Sequence, residues 1–143
     1  MGPEARSVLD AAGPELSGPV VRTAASVIGQ RAGESLIVAT TAFGYTVTSL
    51  VSVQIHFYVE PRGWLRKSLA VAGTPLELVR RILDGDALAR LAALSPISAE
   101  LGAMSLRLEQ RFGAIADVAN AIDLVATLAA RARLVSNSRW ADV

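Results

Sequence analysis

The sequence predicts an α+β fold. Amino-terminal helices lead into a central antiparallel β-meander or hairpin over about residues 35–72, followed by carboxy-terminal helices that include one long helix over about 96–134. Three observations carry this prediction. Ser35 to Val59 holds no Asp, Glu, Lys or Arg, and its last fifteen residues alternate in character. Apolar residues before this run recur at helical spacing. After it, proline and capping signals open new helices, and from residue 97 to the end there is no further proline.

Taken in order, Pro3–Ala12 reads as a short helix stopped by Gly13-Pro14, because glycine frees φ and proline removes a donor. Ser17-Gly18-Pro19 resembles a second helix start. Val20, Val21, Ala24, Ala25 and Ile28 then follow at helical spacing, with Gly33 as the stop. Beyond Gly33 the period falls to two. Leu36–Ala42 is rich in strand formers, and Phe43-Gly44 offers a turn or bulge.

From Tyr45 the odd positions are Tyr45, Val47, Ser49, Val51, Val53, Ile55, Phe57 and Val59. The even positions are Thr46, Thr48, Leu50, Ser52, Gln54, His56 and Tyr58. Ser49-Leu50 is a phase fault, with a polar residue in the apolar face and an apolar one in the polar face, and marks the expected bend. Glu60-Pro61-Arg62-Gly63 reads as a turn, with Trp64–Ala72 returning as a partner strand.

Thr74-Pro75-Leu76-Glu77 has the form of a capping box with proline at the first helical position. Its helix uses Leu76, Val79 and Leu83 as a face and stops at Asp84-Gly85. Asp86 caps a second helix to Leu94, and Ser95-Pro96 begins a third. In that third helix Leu101, Met104, Leu108, Phe112, Ile115, Ala119 and Ile122 form a stripe, with Gly102 and Gly113 as kinks. Alanines at 114, 116, 119, 121, 126, 129, 130 and 132 keep its second half slim. This suits close packing in a bundle or on a sheet better than an extended two-stranded coiled coil.

At 143 residues the chain is expected to form one domain over 1–143, with a helical lead (1–33), a sheet (34–73) and a helical part (74–143). It has no cysteine and a single histidine, His56, so disulfides and thiolate metal sites are excluded and no metal or other cofactor is implied. Fourteen basic residues against thirteen acidic ones leave a net charge of +1, which argues against nucleic acid as a partner. Arginine's dominance over lysine and the abundance of alanine suggest a GC-rich genome, bacterial or of a bacterial virus. The first eighteen residues lack the continuous apolar core of a secretory signal.

No Walker loop, dinucleotide fingerprint or Gly-x-Ser-x-Gly elbow is present. A lone His56 fixes no triad, and it reads as a polar-face strand residue. Asp117, Asn120 and Asp123, at steps of three on a helix, diverge by roughly 120° and read as a solvated face. Arg62, Arg66, Lys67, Arg80 and Arg81 form a possible basic patch near Trp64, otherwise a charged rim beside the sheet. Gly29 and Gly33 have a helix-packing spacing, but Gln30 and Arg31 lie between them.

A straight helix over 96–134 would be about 57 Å long. Fifteen extended residues would span about 50 Å, whereas a compact domain of this size has a radius of gyration of about 14–15 Å. Those lengths predict partial elongation completed by other copies. The functional expectation is therefore a non-enzymatic, self-assembling structural or interaction protein: a shell, tail, filament or scaffold component in the cytoplasm or a virion. Its expected interface is Tyr45, Thr46, Thr48, Gln54, His56, Tyr58 and Trp64. A first alternative is a small membrane-associated protein anchored or inserted through Leu36–Val59, a stretch long enough to span but semi-polar and alternating. A second is a ligand-binding or enzymatic domain with a pocket between sheet and helices, using Tyr45, His56 and Tyr58.

Overall fold

A computed structural model describes residues 2–62 and 68–141, with side chains to residue 137. The fold is α+β, a helical layer on one face of an eight-stranded, wholly antiparallel sheet. Helix α1 (Pro3–Ala12) and a 3-10 turn (Gly13–Glu15) precede β1 (Ser17–Arg22), β2 (Ser26–Arg31), β3 (Glu34–Thr40), β4 (Gly44–Leu50), β5 (His56–Arg62) and β6 (Ser68–Thr74). Helices α2 (Leu76–Ile82) and α3 (Gly85–Leu94), strands β7 (Ser98–Leu101) and β8 (Ser105–Arg111), and helix α4 (Ala116–Ala141) complete the chain.

The strand order is β1-β2-β3-β4-β8-β7-β5-β6. The first four strands form a meander, and the β7–β8 hairpin then inserts between β4 and β5. Alternation explains the layering. Val27, Val38, Val47, Leu108, Ala99 and Val59 lie in register across six strands and are all buried, facing the helices. Helix α4 covers the central strands, and its Ala121, Ala126, Ala129 and Ala132 are buried, so small side chains let it sit close to the sheet. Helix α1 packs on β3, while α2 and α3 lie under β6.

The strand expected after Gly33 is β3, and the alternating run Tyr45–Val59 divides between β4 and β5, so the uncharged run contributes to three strands. β4 ends at Leu50, within the expected fault, and β5 restarts at His56 with the same odd-in, even-out phase. Its length therefore demands no elongation. Among the described residues no helix is long and apolar enough to cross a membrane.

Several local expectations are corrected. Residues 17–33 form the β1–β2 hairpin (17–31) and the turn into β3 (32–33), and not a helix. Gly33 (φ 81°), with Ala32 (φ 50°), makes a two-residue turn of the kind that matches strand twist. Residues 98–111 form the β7–β8 hairpin, so the long helix starts at Ala116 instead of Pro96. With 26 residues it is about 39 Å long. Gly102 lies between β7 and β8, and Gly113 precedes α4, so neither kinks a helix. At Thr74-Pro75 the helix does start, but Pro75 is the cap and no side chain caps it. Asp84 rather than Asp86 caps α3, its Oδ1 accepting from the Ala87 amide at 2.9 Å.

Candidate binding cleft and sheet surface

One end of the sheet is built around Gly44. A Cβ there would fall 1.8 Å from the Gln110 carbonyl oxygen, so only glycine lets β4 run this close to β8. That approach fixes two aromatic residues. The Phe112 amide donates to the Phe43 carbonyl (3.2 Å), and the Thr41 amide (2.8 Å) and hydroxyl (3.1 Å, accepting from Gly44) close the β3–β4 turn. Alongside, the Thr40 amide donates to Ala25 (2.9 Å), tying the β1–β2 turn to β3.

Between these turns and the start of α1 opens a cleft of about 1140 Å³, bordered by Pro3, Ala24, Ala25, Ala42, Ile97 and Phe112, with Glu4 and Arg111 as its charged lining. Phe43 stands on its rim and is 81% exposed. A second hollow of about 470 Å³, sharing Pro3, Glu4 and Phe112, continues past Ser7 and Tyr45 to Ile115, itself half exposed. Tyr45 is buried, and burial pushes its phenol up from 10.0 to about 12. Gln110, across the β4–β8 pair, pulls the other way, and the Asp117 charge adds to the rise. The phenol therefore stays neutral at ordinary pH and offers no base. The cleft can hold an apolar group, with Glu4 and Arg111 as the charged groups of its lining.

The other surface is the sheet face turned away from the helices. Val21, Ile28, Ile37, Thr48, Arg107, Glu100, Tyr58 and Ala72 stand in one row, a residue from each strand, and among the described residues no helix covers them. The row is apolar at its β1–β3 end and charged in its middle.

The expected interface residues divide between these places. Thr46, Thr48, His56 and Tyr58 lie on the open face, Gln54 is exposed in the β4–β5 connection, and Tyr45 lies on the helix side. Tyr45, His56 and Tyr58 thus line no common pocket. His56 instead borders a hollow of about 480 Å³ with Gln54 and Ser136 at the opposite end. Of the possible basic patch, Arg62 ends β5, while Arg80 and Arg81 are exposed on α2. Trp64, Arg66 and Lys67 lie outside the described residues.

Asp123 is more than a solvated residue. It accepts from Arg90 (2.6 Å) and Arg31 (3.3 Å), and Arg31 also reaches Glu15 (3.0 Å), so one carboxylate joins α4, α3 and β2. Arg131 extends the network to Asp84 (3.0 Å), whose carboxyl is held below its usual range, first by the Ala87 amide and then, against some desolvation, by Arg131. Among the described residues no cluster of three or more His, Asp or Glu could hold a metal ion. The cleft was not foreseen in the sequence. Its one visible signal was the Phe43-Gly44 step between two strands.

No protein-family model matches this sequence, and no curated protein matches it. Among solved structures the chain is similar in fold to the mycobacterial trehalose monomycolate transport factor A, TtfA. The TM-score is 0.60 at 12% identity, over 92% of this chain and 95% of that one. At such identity the likeness concerns the fold.

Proposed function

We propose that this chain is a non-enzymatic interaction protein that seats an apolar segment of a protein partner in the Phe43–Phe112 cleft. The observation that carries the reading is Phe43, a large aromatic residue left 81% exposed beside a wide, mostly apolar cleft. An exposed aromatic next to a hollow is the usual form of a binding hot spot. The structural neighbour is named as a transport factor, and a binding role accords with that name. The lining polar groups, Glu4, Arg111, Ser7 and the neutral Tyr45, suit orientation of a bound segment more than bond chemistry. Assembly as a shell, tail or filament draws no support from element lengths once the uncharged run divides into three strands.

An environment-sensitive apolar dye tests the site. Saturable binding that Phe43→Asp or Ile115→Asp abolishes without changing the circular-dichroism spectrum supports it, and binding indifferent to both substitutions refutes it. Selection of a displayed peptide library on the protein tests the partner class. Peptides carrying aromatic or aliphatic anchors and competing with the dye are expected, and failure to enrich any removes the protein-partner reading.

A further inference from the structure

The two edges of the sheet are built differently. β1 is guarded: Gly18 takes positive φ (74°), Pro19 removes a donor, and the β1–β2 register shifts between Ser17 and Val21. β6 has none of these devices. Its seven residues, Ser-Leu-Ala-Val-Ala-Gly-Thr, pair with β5 without a bulge and contain no charge and no proline. Residues Val71 to Thr74 are exposed, and no described strand lies on the outer side of β6. Such an edge is a template for another strand.

We propose that the occupant is β6 of a second copy of this chain, antiparallel, with Val71 on the two-fold axis. The sequence of β6 is self-complementary in that register. Val71 meets Val71, Ala70 meets Ala72, and Ser68 meets Thr74. Leu69 stands opposite Gly73, a position that must be glycine because a Cβ would fall 2.6 Å from the His56 carbonyl and 2.8 Å from Val79 Cγ2. Leu69, the largest side chain of the strand, is thus matched by Gly73, the two valines meet on the axis, and no like charges oppose. An axis perpendicular to the sheet keeps both helical layers on one side and joins the two sheets into one. Tyr58, paired with Ala72 on the open face, flanks the seam and borders a groove with Glu60, Arg62 and Ala70. β5 and β6 contribute nothing to the cleft lining, so the two surfaces can act independently.

Size-exclusion chromatography with light scattering tests the seam. Wild type at micromolar concentration is expected at twice the chain mass of 15.0 kDa. Val71→Lys places two ammonium groups against each other on the axis and is expected to raise the dissociation constant on the order of tenfold or more. Val71→Glu does the same, and mixing the two variants restores a heterodimer, which a misfolded variant would not. A monomeric wild type, or a Val71→Lys protein that stays dimeric, overturns the proposal. A monomer that takes up extended peptides along β6 likewise overturns self-pairing. Dye binding in the cleft is expected to be equal in all three proteins, which separates failure of this seam from failure of the cleft.

Discussion

Two rows of residues, one position apart along the strands, cross the same sheet with opposite fates. The row Val27, Val38, Val47, Leu108, Ala99, Val59 faces the helices and is buried throughout. Its neighbour, from Val21 through Ile28, Ile37, Thr48, Arg107, Glu100 and Tyr58 to Ala72, has no covering layer among the described residues. Backbone conformation and hydrogen bonding are common to both, so the difference in energy between them comes from what lies above each face. Stability rests on the first row. The second is free to carry contacts that folding does not require.

Truncation in the buried row should have the largest effect. Leu108→Ala removes methyl groups from a side chain only 2% exposed, and a loss of about 2–5 kcal/mol is expected in urea denaturation. A loss under about 1 kcal/mol would mean that the helical layer does not close over the sheet in solution, and the contrast between the rows would fail.

Tyr45 puts a polar atom on the buried side and should sharpen the comparison through pH. Its folded-state pKa is raised from 10.0 to about 12, so the neutral form is favoured by folding. The associated stability is complete below pH 10 and is lost as pH climbs through 12. A loss of up to about 2–3 kcal/mol is expected over that window, and Tyr45→Phe should flatten this part of the profile. An equally steep alkaline fall in Tyr45→Phe would place its origin in other groups.

How much of this was legible in the sequence depended on whether one period dominated. Tyr45–Val59 is readable because β-branched residues alternate without interruption, and even its fault was visible. Ser49 enters the buried face, where its hydroxyl finds no described partner, and β4 ends at the next residue. Residues 17–33 misled because Val20, Val21, Ala24, Ala25 and Ile28 fall at helical spacing by coincidence. The positive φ values at Gly18 in β1 and at Ala32 and Gly33 in the β2–β3 turn are conformations a sequence does not display. At 105–111 both periods coexist. Leu106, Leu108 and Gln110 are buried and Arg107 and Arg111 exposed, as a strand requires, yet Leu101, Met104 and Leu108 also form a helical stripe, and Met104 proves 75% exposed near the turn. The cleft was illegible for a different reason. It joins residues from α1, two hairpin turns and the β8–α4 connection, and only tertiary packing makes them neighbours.

Asp123 tests the rim between layers, where an intermediate effect is expected. Asp123→Ala takes one carboxylate from Arg90 and Arg31, but Arg31 keeps Glu15, and the three side chains of the cluster are about a third to a half exposed and screened by solvent. A cost of about 1 kcal/mol is expected, shrinking in high salt. Salt independence would show that the pair acts through packing.

The smallest effect belongs to the open row and bears most directly on function. Ile37→Thr keeps β-branching, adds a hydroxyl that water can reach and disturbs no helix contact, so the change in stability should stay within about 0.5 kcal/mol. Ile28, directly across from it, should behave alike, being already 37% exposed. The comparison with Leu108→Ala then has diagnostic value. If Ile37→Thr costs as much as the core truncation, and the cost grows with protein concentration, something covers this face in solution and the row is an interface between copies. If the cost is small and independent of concentration, self-association has to proceed elsewhere, and the unguarded β6 edge is where the sheet leaves room for it.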